Sequence, residues 1–196
     1  MSRAEAVAAM QRALVERARS GDLDAFSQLV RASLRRLDGV ARLILRDSDR
    51  AQDAVQDALL MAWRDLSALR DPDAWDAWLH RLTVRACYKV ARKERRRSMV
   101  ELKVTPGQQT TAMPDASAGV AERDWLGREL ERLDIDQRAV MVLHYHLDLP
   151  VSEVAEILDI PYGTAASRLH RGLESMRASM RIGDPAHGDL VTERSS

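Results

Sequence analysis

The residues of this chain whose types and spacing could do chemistry are cations and hydroxyls. In VSEVAEILDIPYGTAASRLHRGL (151–173), Thr164, Ser167, Arg168 and Arg171 recur at intervals of three, one and three residues, with His170 and then Arg177 beside them. Such groups on one side of a helix donate hydrogen bonds to base edges and to phosphate oxygens. A second set lies earlier. Arg92, Lys93, Arg95, Arg96 and Arg97 place five cations in six positions, and Arg85 and Lys89 precede them. So many like charges repel one another unless an anion is present, and phosphate is the obvious one. A third set is polar and acidic: Asp49, Gln52, Asp53 and Gln56. No nucleophile motif, phosphate-binding loop or metal-ligand spacing occurs, so the reading contains no catalytic residue, no metal and no cofactor. His144 and His146, two apart on a helix, point away from each other and are poorly placed to share a metal.

The elements that must position these groups are helical nearly throughout. Glycine, proline and aromatic residues are few, and no strand-like alternation recurs. In 151–173, Val154 and Leu158 face inward, Ala155 lets a second helix cross closely, Ile160 plugs the turn and Thr164 serves as N-cap. Ala165, Leu169 and Met176 then form the inner stripe of the second helix. This is the pattern of a helix-turn-helix, whose second helix enters the major groove. Upstream, a helix opens at Asp22 and is broken at LRDSD, and the next is broken at LRDPDAW. Ala51, Ala54, Val55, Ala58, Leu59, Ala62 and Leu66 line one side of the middle helix, leaving Asp49, Gln52, Asp53 and Gln56 on another. Trp75, Trp78, Leu79, Leu82 and Ala86 repeat the pattern in the following helix, which becomes basic on every side after Val90. Trp78 and Trp63 have the phase of core residues, while Trp75 is open between core and base stacking.

Thirty Lys plus Arg balance thirty Asp plus Glu among 196 residues, so attraction to nucleic acid must come from segregated charge. A single cysteine excludes an internal disulfide, and neither a signal peptide nor an apolar run long enough to span a membrane is present, which makes the cytoplasm the expected compartment. The expected architecture is all-α: a helical bundle over 1–97, a flexible linker over 98–119, a helix-turn-helix domain over 120–182 with helices near 120–133 and 136–147, and a disordered tail over 183–196.

LERLDIDQRAVMVLHYHLDLPVSEVAEILDIPYGTAASRLHRGLESMR resembles region 4 of the extracytoplasmic-function class of sigma factors, in the sigma-70 superfamily. GDLDAFSQLVRASLRRLDGVARLILRDSDRAQDAVQDALLMAWRDL and AWDAWLHRLTVRACYKVARKERRR resemble region 2, in the same order. The resemblance spans about residues 21–180 and implies a non-enzymatic transcription initiation subunit that binds core RNA polymerase, through its beta-prime and beta subunits, and promoter DNA. An anti-sigma partner is a further family expectation.

The resemblance also implies roles for residues. Asp49, Gln52, Asp53 and Gln56 would dock on the beta-prime coiled coil. The loop Ser67–Ala74, with Ser67, Leu69 and Arg70, would meet a flipped -10 base, and Arg85, Lys89, Arg92, Arg95 and Arg96 would follow the opened strand. Thr164, Ser167, Arg168 and Arg171 would read the -35 element, with His170 and Arg177 nearer its backbone. The chain departs from the family at Ala166, where Lys or Arg is frequent, at Asp159, where the turn commonly has glycine, and in the glycine-free loop LRDPDA. The rival readings are a self-sufficient dimeric helix-turn-helix regulator, which would have no use for the Asp53/Gln56 face, and a remote helical nuclease or hydrolase using Asp53, Asp57 and a histidine.

Overall fold

The computed structural model describes the backbone of residues 3–104 and 127–183, and side chains within 5–97 and 127–179. Helix α1 (Arg3–Arg19) leads through Gly21, at φ +94°, to Asp22, whose carboxylate accepts from the Ala25 amide at 2.9 Å and opens α2 (Leu23–Leu45). The buried positions of α2 are Ala25, Phe26, Leu29, Ser33, Leu37, Val40, Ala41 and Ile44, the three-to-four spacing of one helical face. Arg46 ends the helix in the left-handed conformation, and Asp47 caps α3 (Ser48–Arg64) by accepting from the Arg50 amide at 2.9 Å.

Helix α3 buries Ala51, Ala54, Val55, Ala58 and Ala62, side chains small enough to let α4 (Trp75–Val104) pack closely. Two short 3-10 turns, Leu66–Ala68 and Pro72–Ala74, join α3 to α4, and Asp71 caps the second by accepting from the Asp73 amide. Trp75 is 1 % exposed and directs its indole N–H toward Ser33 Oγ at 3.4 Å; core packing is therefore its role. Trp63 departs from the expected core position: its ring lies against Phe26 at 5.0 Å between centroids but remains 37 % exposed. Cys87 is fully buried on α4, and burial pushes its thiol up to about 12.

Helix α4 also continues beyond Arg97 to Val104, into the stretch read as linker. Arg, Lys, Glu, Met and Leu sustain a helix by intrinsic preference, without needing an apolar stripe. The remaining linker residues, 105–119, and the tail from 184 lie outside the described residues, as does the start of the helix expected near 120.

The second domain begins with a helical stretch over 127–132. Asp134 caps α5 (Ile135–Met141), accepting from Gln137 N at 2.8 Å, and the helix widens into a π-helical segment, Val142–His146. Here His144 Nδ1 pairs with the Leu149 carbonyl at 2.7 Å while His146 stands beside Gly39 of α2, so the two rings diverge as expected. Helices α6 (Val151–Leu158) and α7 (Tyr162–Gly183) form the helix-turn-helix. Val154, Ala155, Ala165 and Met176 are buried; Ile157 takes the inner place expected of Leu158, which is half-buried with Ile160 and Leu169. Asp159 adopts φ +56°, a conformation that Asp tolerates better than most residues, and closes the turn where glycine would be usual. Helix α7 starts two residues before the expected cap: the Pro161 carbonyl accepts from Thr164 and Ala165, so Thr164 sits within the first turn.

The two domains pack through a common buried cluster, beside a smaller one of Leu130, Leu133, Met141 and Met176 in the second domain. Val140, Val142, Leu143, Val154 and Ile157 belong to the same buried cluster as Val40, Ala41, Ile44 and Leu79.

His80 lies buried on α4, and burial depresses its imidazole to about 4, with Arg36 adding to the effect and Asp76 opposing it. Above pH ~6.5 the ring is neutral in both folded and unfolded chains. As pH falls from there toward about 4, the unfolded chain binds a proton that the native ring refuses, and stability is lost at up to ~1.4 kcal/mol per pH unit. Urea unfolding of the parent and of His80→Asn between pH 7.5 and 4.5 is expected to show a shallower loss in the variant.

Candidate nucleic-acid interface

Burial of the alanine side of α3 turns its other side outward. Asp49, Gln52, Asp53 and Gln56 are all exposed, on the side opposite the buried alanines. Asp57, one position beyond that set, is instead engaged by Lys89 Nζ at 2.9 Å, and Arg50 reaches Glu94 at 3.0 Å. These pairs brace α3 against α4 and draw Lys89 partly out of the cationic set.

On α4, Arg85, Tyr88, Lys89, Arg92, Lys93, Arg96 and Arg97 line an open groove of about 870 Å³. Arg85, Lys89, Arg92, Arg95 and Arg96 are exposed. Among the described residues no carboxylate pairs with Arg85, Arg92, Arg95 or Arg96. Their charges are therefore available to a polyanion, and an apolar edge from Tyr88 interrupts them. In the loop before α4, Ser67 and Arg70 are exposed, but Leu69 is 4 % exposed and packs in the core. Leu69 must be removed from the strand-contacting set: the short connection needs an apolar residue to hold it down, and Leu69 supplies it.

On α7, Ser167, His170, Arg171 and Arg177 are exposed. Arg171 folds back along its own helix, with Nε donating to the Ser167 carbonyl and Nη2 to Ser167 Oγ, both at 3.3 Å. Ser167 Oγ donates to the Thr164 carbonyl at 3.0 Å, and His170 stands 3.3 Å from Glu174. Arg168 is placed differently. Its side chain is only 23 % exposed and its Nη2 donates to Asp136 Oδ2 at 2.9 Å, on the first turn of α5. Thr164 is half-buried. Thus Ser167 and Arg171 form the outward pair, and Arg168 braces the domain.

Sequence reasoning missed Tyr88. Its hydroxyl lies against Asp136, and burial, followed by that hydrogen bond and the nearby negative charge, holds the phenol above its usual range. It also missed Tyr162, exposed at the start of α7, for which an aromatic residue beside the turn proline was the available signal. Among the described residues no cluster of metal-ligating side chains occurs and no helix is long and apolar enough to cross a membrane.

An exposed polar helix face, a basic helix end and a helix-turn-helix on two helical domains are features of the sigma-70 type of transcription factor. Residues 29–97 match the family described as Sigma-70 region 2, and residues 123–176 match Sigma-70, region 4. The chain is 35% identical over 153 residues to the ECF RNA polymerase sigma factor SigM of Mycobacterium tuberculosis, covering 78% of this chain and 75% of the relative. It is 31% identical over 175 residues to the ECF RNA polymerase sigma-E factor of Escherichia coli, covering 83% and 90%. The solved structure of CnrH in complex with the cytosolic domain of CnrY is similar, with a TM-score of 0.65, 26% identity and coverage of 89% of this chain and 99% of that one. The chain belongs to the ECF RNA polymerase sigma factors.

Leu69→Ala is expected to lower stability by ~2–4 kcal/mol, as deletion of a packed core side chain does. Arg70→Ala should stay within ~0.5 kcal/mol of the parent. Urea denaturation followed by circular dichroism checks both.

Proposed function

We propose that this chain joins core RNA polymerase through the exposed face of α3, follows the opened -10 strand with the basic end of α4, and reads the -35 duplex with Ser167 and Arg171 on α7. Its work is recognition and DNA opening, not catalysis, and its compartment is the cytoplasm, where polymerase and promoter are found. The observation that carries this reading is the segregation of charge in a chain of zero net charge: unpaired cations gather on α4 while exposed Asp49 and Asp53 mark α3. A cationic strip supplies affinity for phosphate without sequence information, whereas the α7 face supplies direct base contacts. Partners of the relatives fit the same picture: the CnrH structure holds the cytosolic domain of CnrY, and a comparable protein partner is proposed for this chain. The decisive experiment is run-off transcription on fragmented genomic DNA with the purified chain and core polymerase. Promoter-specific transcripts are expected, and DNA footprints obtained equally well without polymerase would favour a self-sufficient regulator instead.

Asp53→Arg should weaken binding to core polymerase while leaving helicity unchanged, because the position is exposed. A native-gel titration alongside circular dichroism reads both quantities.

Two α7 substitutions should separate reading from clamping. Arg171→Ala is expected to lose ~1–3 kcal/mol on the cognate -35 duplex and to relax preference at one base position. Arg177→Ala should weaken all duplexes alike and reduce the salt slope by about one phosphate contact. Fluorescence anisotropy on matched and scrambled duplexes at several salt concentrations distinguishes them.

A further inference from the structure

Helix α1 lies ahead of the residues matched to region 2, which begin at position 29, so the family match assigns it no task. Its buried Val15 and Ala18 pack it on α2, and it also touches both 3-10 turns of the connection between α3 and α4. From there two polar side chains reach the start of α4. Arg12 grips the Asp73 carboxylate with two donors: Nε donates to Oδ1 at 3.0 Å, and Nη2 donates to Oδ2. Gln11 Nε2 donates to Asp76 Oδ2 at 3.3 Å, and the other oxygen of Asp76 lies 3.7 Å from Arg36 of α2. The Arg12 pair adds little to the stability of the fold, because both side chains are about half exposed and water screens such a pair. What a two-bond fork supplies is a fixed geometry.

We infer that Arg12 is a positioning residue: through Asp73 it holds the loop before α4 in the form that presents Ser67 and Arg70 to an opened DNA strand. The exposed span of that loop is pinned on both sides. Leu69 is buried on one side of Arg70 and Asp71, and on the other side Asp73, in the second 3-10 turn, is held by α1. Between the pins there is no glycine to yield. The inference rests on the -10 reading proposed above and deepens it.

An unpaired strand is flexible, so a surface that captures it gains affinity by being ordered in advance. A loop released from α1 would have to be ordered at the moment of binding. Charge is the competing explanation. Asp71 and Glu16 add to the negative field around Arg12, and without the guanidinium a phosphate strand would meet them together with Asp73. Geometry and charge predict opposite results for Asp73→Ala. Loss of the anchor weakens strand binding, whereas loss of a carboxylate alone would strengthen it. The fork geometry of the pair makes the anchor the larger effect.

The test titrates holoenzyme, assembled from the full chain and core polymerase, with forked DNA from a promoter found by the run-off experiment. The -10 segment of the fork is unpaired, and 2-aminopurine stands beside each of its bases in turn, brightening where its neighbour is extruded. Arg12→Ala and Asp73→Ala are both expected to weaken fork binding roughly three- to tenfold, the effect of leaving a loop to be ordered on binding, and to lower the 2-aminopurine signal at saturation. Arg12→Lys, which keeps the charge without the fork, should fall between them and the parent. The exchanged pair, Arg12→Asp with Asp73→Arg, should recover most of the loss. Circular dichroism and core binding in native gels should match the parent throughout, since both positions are exposed and lie off the α3 face. If the parent gives no extrusion signal at any base, the -10 reading falls and takes the inference with it. If the parent gives the signal but Arg12→Ala leaves both readouts unchanged, or Asp73→Ala tightens binding, the inference alone is overturned.

Discussion

A helix cannot satisfy its own ends: the first amides and the last carbonyls need partners from elsewhere. Much of this structure follows from that constraint. Aspartates answer it at the N-termini, with Asp22, Asp47 and Asp134 each accepting from an amide three residues on. Left-handed residues answer it at two C-termini, Arg46 after α2 and Asp159 after α6. Arginines complete those same two ends from the opposite domain, Arg138 donating to the Ile44 carbonyl and Arg81 to the Glu156 carbonyl. The acids that balance the chain's cations are therefore partly structural. They cap helices and brace neighbouring ones, while the cations of α4 face outward.

Once the ends are fixed, the orientation of each face follows. An alanine stripe on α3 lets α4 approach and commits the opposite side to solvent, where Asp49, Gln52, Asp53 and Gln56 stand. The αL turn at Asp159 and the early start of α7 after Pro161 set the helical phase that turns Ser167 and Arg171 outward and Arg168 inward. A shift of phase by one residue would rotate α7 by ~100° and exchange those roles. The reading face is thus determined by the turn before it as much as by the side chains on it.

The same physics explains what could be read from sequence. Periodic burial repeats locally, so the α3, α4 and α7 faces, the opening of a helix at Asp22 and the two-domain order were legible. The start of α7 was not, because Thr164 is a better cap by type, yet Pro161 already supplies a preset backbone and a free carbonyl. Leu69 was hidden by punctuation: LRDPDA reads as loop, and nothing local indicates that its one leucine is buried. The end of α4 was hidden because a helix can outlast its apolar stripe. Arg81 and Arg138 were invisible for a deeper reason. Their acceptors are backbone carbonyls, which every residue has, at sequence separations of 75 and 94. No residue type advertises such a partner.

The place of Cys87 bears on how this chain can sense its surroundings. It is the sole thiol, and the packing of α4 keeps it both inaccessible and protonated. Oxidants and electrophiles attack thiolates that they can reach, and here they find none. The folded protein therefore offers oxidants no reactive thiol. A stimulus read through thiol chemistry would have to be received by another molecule and passed on as a change in binding.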